Sequence, residues 1–348
     1  MAKEFDLIDD FFVPLGEGGR QSEGEGQIGI GDDGAVISVP SGHQAVVVTD
    51  TLVCGVHFPP ETSAFDIGWK ALAVNLSDLA AMGAQPAFYS LALTLPNYDA
   101  EWLRLFALGL KASAEACFGK SIPLIGGDTT KGPLCITVSA QGWVADGQAV
   151  MRHTAKNGDH LFVSGFLGDA ALGLKLAMPK FWGKIPVVSF VPEEEAYLLT
   201  ALNRPEAGVA YAEILREFAH AAIDISDGFL ADLGHILRRS SKQLGTDLQA
   251  CIDLAALPTS KAMQRYLALT SDWTALLNGG DDYRLCFTVS ADRVAALKEE
   301  AQRRGLPVFE VGVVRNRSQG APRFELVRDR LDGGLLAEDF SVEGFQHF

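Results

Sequence analysis

The sequence predicts an α/β or α+β protein with two domains. Predicted strands and helices alternate in both halves, and 348 residues suffice for two domains of ordinary size, each with its own core. The segment 145–159 is rich in Gly, Asp and Asn, which mark turns and linkers. We therefore predict an N-terminal domain, 1–146, and a C-terminal domain, 147–348.

Apolar spacing predicts the elements of the first half. Residues 4–12 have the pattern of a short amphipathic helix, and a Gly/Glu-rich stretch follows it. Two β-rich runs, 35–39 and 45–52, flank a Ser-Gly turn and predict a hairpin. The remaining predicted elements are a helix at 64–82, a strand at 88–95, a helix at 102–118, and strands at 122–125 and 134–144.

The second half has the same alternation. A strand is predicted at 160–164, and a helix begins near Gly168. The next strand, 221–225, leads into a helix at 228–240. Further strands are predicted near 247–252, 283–289, 307–315 and 322–328, and no short-period repeat is present.

Composition excludes several classes of protein. Hydrophobic residues are 48% and charged residues 21%, as in ordinary globular proteins. The net charge of −15 argues against a nucleic-acid partner, which requires a basic surface. Five scattered cysteines without a Cys-x-x-Cys motif favour reduced thiols, and no apolar run has membrane-spanning length. We expect a cytoplasmic protein that binds neither nucleic acid nor membrane.

Aspartates recur beside glycine or at predicted element ends. Two bare carboxylates about 4 Å apart repel by roughly 4 kcal/mol at an effective dielectric near 20, so a group of them requires a counter-charge. Divalent cations with oxygen ligands supply one, and Mg²⁺ commonly bridges to phosphates. An aspartate taken alone in such a position is more often a turn former or a helix cap, and it is their convergence that favours a metal site. The aspartates are Asp32, Asp33, Asp50, Asp78, Asp128, Asp224, Asp227, Asp281 and Asp282.

An ordered set of motifs closely resembles the thiamine-monophosphate kinase family. No single motif is specific, but their order along nearly the whole chain is. The motifs are Gly-Ile-Gly-Asp-Asp-Gly (29–34), Thr-Asp-Thr (49–51) with His57-Phe58, Asn-Leu-Ser-Asp (75–78), Gly-Gly-Asp-Thr-Thr (126–130), Asp-Ile-Ser-Asp-Gly (224–228) and Gly-Gly-Asp-Asp-Tyr (279–283).

The resemblance implies a two-domain fold like that of aminoimidazole-ribonucleotide synthetase. An N-terminal mixed sheet would form the interface of a homodimer, and a C-terminal α/β domain would follow. The implied reaction is phosphoryl transfer from ATP to thiamine phosphate, which gives thiamine diphosphate with several Mg²⁺ ions bound.

The same resemblance implies roles for individual residues. The implied ATP-binding residues are Gly127, Asp128, Arg152 and Ser226. The implied substrate-binding residues are His57, Asp281 and Phe345. The implied Mg²⁺ ligands are Asp33, Thr49, Asp50, Asp78, Asp128, Asp224 and Asp227.

The predicted reaction requires no general base. The acceptor is a phosphate whose second pKa is about 6, so it is mostly ionised at neutral pH. Phosphoryl transfer then depends on positioning and charge neutralisation, and we assign no catalytic acid or base.

The sequence departs from the family pattern at one position, and three other functions are considered beside the kinase reaction. Asp281 stands where the family usually has glutamate, and its side chain is one methylene shorter. The alternatives are a sister enzyme of the same superfamily, a metal-dependent phosphohydrolase that uses water as acceptor, and a non-catalytic cation-binding protein.

Overall fold

The computed structural model describes residues 8–16, 30–31, 33–179, 186–321 and 323–327. The chain divides into two compact units. Unit 1 consists of residues 1–80, 84–149 and 203–210, and unit 2 consists of residues 81–83, 150–202 and 211–348. The predicted division into domains 1–146 and 147–348 stays a prediction.

Unit 1 contains a four-stranded mixed sheet in the order β1-β4-β2-β3. Strand β1 pairs antiparallel with β4 over its whole length, β4 pairs antiparallel with β2, and β2 pairs parallel with β3. Among the described strands, β1 and β3 are therefore the two edges. The strands are β1 (His43–Val53), β2 (Gln85–Leu95), β3 (Leu124–Lys131) and β4 (Cys135–Ala145).

Two long helices complete the core of unit 1, after the short segments Ile8–Phe12 and α1 (Val13–Gly16). Helix α2 is Ala64–Ala81, and α3 is Ala100–Phe118. The helices approach closely through two glycines, because a Cβ on Gly68 would lie 2.1 Å from the carbonyl oxygen of Phe106. Gly109 meets the carbonyl oxygen of Phe65 in the same way, at 2.0 Å. This contact fixes α2, the helix that carries Asp78.

The predicted hairpin at 35–39 and 45–52 is wrong. Residues 35–39 form no strand, although Val36 makes a single bridge. The second run lies in β1, whose eleven residues all pair with β4 instead. The predicted helix at 4–12 falls partly outside the described residues, and Ile8–Phe12 is a π-helix.

Unit 2 contains a six-stranded sheet in the order β10-β7-β9-β5-β8-β6. Its strands are β5 (His160–Val163), β6 (Ala219–Asp224), β7 (Leu248–Asp253), β8 (Leu285–Val289), β9 (Phe309–Asn316) and β10 (Phe324–Val327). Its helices are α4 (Asp169–Ala177), α5 (Pro192–Asn203), α6 (Ala212–Phe218), α7 (Phe229–Leu244), α8 (Lys261–Thr270), α9 (Thr274–Asn278) and α10 (Val294–Arg304).

The core of unit 2 joins this sheet to α7 and its neighbours. Phe229, Leu233, Ile236 and Leu237 recur at helical spacing on α7 and are buried. Because α7 begins directly after the predicted Asp-Ile-Ser-Asp-Gly motif, this packing fixes one end of that motif in space.

Candidate functional site

A cavity of about 780 Å³ lies at the β3 edge of the sheet in unit 1. Its lining includes Asp33, Gly34, Gly126, Gly127 and Asp128, which come from two of the predicted motifs. Asp33, Gly127 and Asp128 are exposed to solvent. The structure therefore brings together residues that are almost a hundred positions apart in the sequence.

The glycine motif lies inside β3, although the sequence predicted it after a strand end. Gly127 faces Leu91 in the parallel register of β2 and β3. A Cβ on Gly127 would lie 1.8 Å from the carbonyl oxygen of Leu91, so no larger residue fits here without a shift. A Cβ on the adjacent Gly126 would meet nothing within 4 Å.

Thr49 and Asp50 lie on the opposite edge of this sheet, within β1. The register aligns Asp50 with Val138 on β4, Val138 with Leu91 on β2, and Leu91 with Gly127 on β3. Three strand spacings separate the two edges, which is about 14 Å measured along the sheet. The Thr49 hydroxyl donates a hydrogen bond to Ser139 Oγ at 2.9 Å. One sheet therefore does not place Asp50 beside Asp128.

Within the described part of the chain, no three His, Cys, Asp or Glu side chains form a group that could hold a metal ion. The sequence predicted that the acidic motifs converge because they lie at the ends of elements. Asp50 and Asp128 lie inside strands, and Asp78 lies within α2. Their roles as Mg²⁺ ligands stay predictions.

His57 lies in a short turn after β1. Its Nδ1 accepts a hydrogen bond from the Val53 amide at 3.0 Å, and its carbonyl oxygen accepts one from Lys70 Nζ at 3.3 Å. Since Nδ1 is an acceptor, the neutral ring carries its proton on Nε2. These bonds hold the imidazole in place, and its substrate contact stays a prediction.

In unit 2, the acidic motif at the end of β6 is held by buried and partly buried contacts. Asp224 is 4% exposed, and Arg152 lies 3.9 Å from its carboxylate. The amides of Ser226 and Asp227 both donate hydrogen bonds to Asp232 Oδ2, at 3.0 and 2.9 Å. Asp232 therefore fixes the amides of Ser226 and Asp227, while the side chains of both residues stay partly accessible.

The predicted Gly-Gly-Asp-Asp motif packs against this loop. The Asp281 amide donates a hydrogen bond to the Ser226 carbonyl at 2.8 Å, and the Tyr283 amide donates one to Ile225 at 2.8 Å. A Cβ on Gly280 would lie 2.4 Å from the Ser226 carbonyl oxygen, so the approach requires glycine. We name residues 225–228 and 279–283 together the paired loops.

Two residues of the paired loops have left-handed backbones. Asp281 has φ 68° and Tyr283 has φ 48°, a conformation that costs energy for residues other than glycine. Asp282 between them is buried and accepts a hydrogen bond from the Gly168 amide at 2.7 Å. Burial raises the pKa of Asp282 well above its usual value, and the nearby Asp169 raises it further. Asp282 thus anchors the turn that presents Asp281.

Asp232 is a residue that sequence reasoning missed. Burial raises its pKa to about 7, with smaller contributions in the same direction from Asp224 and Asp227. Its position in the first turn of α7, a few residues after Gly228, is typical of acids that bind free amides at a helix start. That signal is visible in the sequence.

Two predicted residues lie outside the described structure. Phe345 was predicted to contact the thiamine ring and Asp32 to belong to the first acidic motif, and neither is among the described residues.

The chain is similar to several known proteins. Residues 31–144 match the family model described as AIR synthase related protein, N-terminal domain. Thiamine-monophosphate kinase from Haemophilus influenzae is 39% identical over 99% of this chain and 98% of its own length. The Salmonella typhimurium enzyme has the same identity and coverage.

The chain belongs to the thiamine-monophosphate kinase family. The predictions of this family, of an α/β fold, and of thiamine-phosphate kinase activity are confirmed by these relatives. A solved thiamine-monophosphate kinase from Stenotrophomonas maltophilia has 43% identity and a TM-score of 0.78, covering 93% of this chain and 96% of its own.

Other solved structures extend the comparison. The structure of AaThiL complexed with AMPPCP and TMP has 28% identity and a TM-score of 0.71, with 99% of this chain and 97% of that chain covered. Hydrogenase maturation protein HypE, at 18% identity and a TM-score of 0.73, shares the fold. Across the described residues, no helix is both long enough and apolar enough to cross a membrane.

Proposed function

We propose that this chain transfers the terminal phosphoryl group of ATP to thiamine phosphate and so forms thiamine diphosphate. The observation that carries the proposal is the cavity of unit 1, where Asp33, Gly127 and Asp128 meet. It is supported by the AaThiL structure, whose ligands are AMPPCP and TMP.

Gly127 and Asp128 are proposed to bind ATP from β3. Gly127 is exposed and lines the cavity, so a phosphate there can approach the strand backbone. Arg152 and Ser226 are proposed to bind ATP as well. Arg152 is exposed although it lies near Asp224, so its guanidinium can donate to a phosphate.

His57, Asp281 and Phe345 are proposed to bind thiamine phosphate. The hydrogen bonds of the paired loops fix the backbone of Asp281. The shorter side chain of Asp281 could reach the substrate through a water.

Mg²⁺ fits the donor set that the chain provides. Carboxylate and hydroxyl oxygens are the hard ligands that this ion takes. When bound, Mg²⁺ neutralises the charge on the phosphates. For several Mg²⁺ ions we propose as ligands Asp33, Thr49, Asp50, Asp78 and Asp128 in unit 1 and, considered separately, Asp224 and Asp227 in unit 2.

The chain's own residues orient the two reactants, and none needs to remove a proton from the acceptor. An ionised phosphate oxygen already has a lone pair available for attack. Gly127 and Asp128, which are both exposed, would align the donor.

A homodimer is proposed because β1 and β3 are free edges among the described strands. Edge strands present unpaired amide and carbonyl groups that a second copy can pair with. If β3 of one copy lies beside β1 of another, Asp128 of the first approaches Asp50 of the second. Two copies would thus bring together Asp50 and Asp128, which lie on opposite edges of the sheet in one copy.

The activity test uses purified protein, ATP, Mg²⁺ and thiamine phosphate, with the product identified by mass. We expect thiamine diphosphate and ADP in equal amounts, and ATP loss only when thiamine phosphate is present. ATP loss without thiamine phosphate would instead indicate a phosphohydrolase. Metal binding without nucleotide binding would indicate a non-catalytic cation-binding protein.

Mixing two inactive variants tests the shared site. Asp50→Asn and Asp128→Asn chains are unfolded together and refolded as an equal mixture. If each site takes Asp50 from one copy and Asp128 from the other, a mixed dimer has one intact site. Random pairing then restores about a quarter of wild-type activity. No recovery in a mixture shown to contain mixed dimers would place both aspartates of a site on one chain.

The proposed location is the cytoplasm. All five cysteines are free and lie within the described residues. This is the state that thiols keep in a reducing compartment.

A further inference from the structure

A basic pocket lies at the C-terminal end of α7 in unit 2. It has a volume of about 460 Å³, and its charged lining residues are Arg238, Lys242, Asp247 and Arg323. None of these residues belongs to the motifs assigned to ATP, Mg²⁺ or thiamine phosphate. We name this group the basic pocket.

The pocket concentrates positive charge in a strongly acidic chain. The whole chain has a net charge of −15, yet three cations and one carboxylate line this cavity. The carboxylate of Asp247 is already paired with Arg317, at 3.8 Å. Within the described ranges, no ion pair is found for Arg238, Lys242 or Arg323.

Arg323 is held in an unfavourable environment. Its Nη1 is buried and has no hydrogen-bond partner within the part of the chain that the structure describes. A buried guanidinium nitrogen without an acceptor is unfavourable, since it has lost water and gained nothing in return. Burial lowers the pKa of Arg323, and the charges of Arg317 and Arg238 lower it further.

Regular elements hold the pocket residues. Arg238 and Lys242 are four positions apart on α7, so their side chains lie on the same side of the helix. Arg323 immediately precedes β10, and its carbonyl accepts a hydrogen bond from the Ala250 amide at 2.9 Å. The cations are thus brought together by a helix and a sheet.

We propose that the basic pocket binds a small phosphate-bearing anion. Guanidinium groups match phosphate oxygens with parallel hydrogen bonds, and the ammonium of Lys242 adds a compact charge. An anion here relieves the repulsion between Arg238 and Arg323. The proposal does not depend on the kinase reaction.

Inorganic diphosphate is the probe. Its binding is measured by calorimetry without Mg²⁺ or nucleotide, in NaCl adjusted to constant ionic strength so that screening is the same in every titration. Arg238→Ala and Arg323→Ala should each weaken binding about tenfold, because each removes charge-assisted bonds. Arg239→Ala is the matched control, since Arg239 is exposed on the same helix and does not line the pocket.

The melting temperature separates binding from folding. Without diphosphate, Arg238→Ala should melt no lower than Arg239→Ala, because it removes a repelled charge. With diphosphate, the wild type and Arg239→Ala should gain stability, and Arg238→Ala should gain less. Absence of diphosphate binding to the wild type would overturn the proposal. Equal binding by all variants would also overturn it, since diphosphate would then bind elsewhere.

Discussion

Replacing Gly127 with alanine should destabilise the sheet of unit 1. The new Cβ would lie 1.8 Å from the Leu91 carbonyl oxygen and 2.7 Å from its carbon. Ordinary contact begins at 3.4 Å, so β2 and β3 would have to separate locally by about 1.6 Å. Neither atom is at the end of a flexible side chain, so only the backbone can move.

The cost follows from the hydrogen bonds between the strands. A bond of about 2.9 Å that lengthens by this amount is lost, and the loss of two such bonds costs roughly 2 kcal/mol. Overpacking adds about 1–2 kcal/mol, so we expect a loss of about 3–4 kcal/mol in the free energy of unfolding. For a unit of this size, each kcal/mol lowers the melting temperature by about 2–4 °C, so it should fall by roughly 6–16 °C.

Gly126→Ala is the control, since its Cβ meets nothing within 4 Å. Calorimetry should find its melting temperature within about 2 °C of the wild type. Hydrogen exchange should show faster exchange of the β3 amides in Gly127→Ala alone. Equal melting temperatures for the two variants would refute the argument from backbone contact.

Three further results are expected. Asp128→Asn should abolish turnover while the melting temperature stays near the wild-type value; near-normal turnover would contradict its role in binding metal and ATP. Asp232→Ala should raise the KM for ATP about tenfold, because it releases the amides of Ser226 and Asp227. Asp232→Asn keeps an acceptor oxygen, so its KM should stay close to the wild-type value. Equal KM values for the two variants would contradict a positioning role for Asp232. Burial raises the pKa of Asp169 above the value near 4 that it has in an unfolded chain. The stabilising contribution of Asp169 is therefore fully present below about pH 4. It is lost as the pH rises through the pKa of Asp169 in the folded state. Urea unfolding should therefore show Asp169→Asn gaining on the wild type between pH 4.5 and 7.5, and a constant difference would contradict this sign.

Elements with strong local signals were predicted well. The helix predicted at 64–82 is found at Ala64–Ala81, and the strand predicted at 134–144 is found at Cys135–Ala145. In the first case a left-handed glycine, Gly83, follows the helix, and in the second the burial alternates along the strand. Such features depend on consecutive residues, so local patterns suffice to predict the helix and the strand.

Features that depend on distant residues were not predicted. Nearness in sequence favoured a hairpin of 35–39 with 45–52, but β1 pairs with a strand about ninety residues away. The separation of Asp50 from Asp128 depends on strand order, which no local pattern contains. The anchoring role of Asp282 depends on the amide of Gly168, far away in the chain.

The paired loops impose a condition on protein engineering. Only glycine fits at position 280, because the backbone of Ser226 lies against it. Only glycine fits at position 228 for the same reason, since the backbone of Asn278 lies against it. Transplanting one segment from a homologue without the other would therefore bring mismatched main chains together. Attempts to alter acceptor preference should exchange both segments in one step, and natural variants are expected to change them jointly.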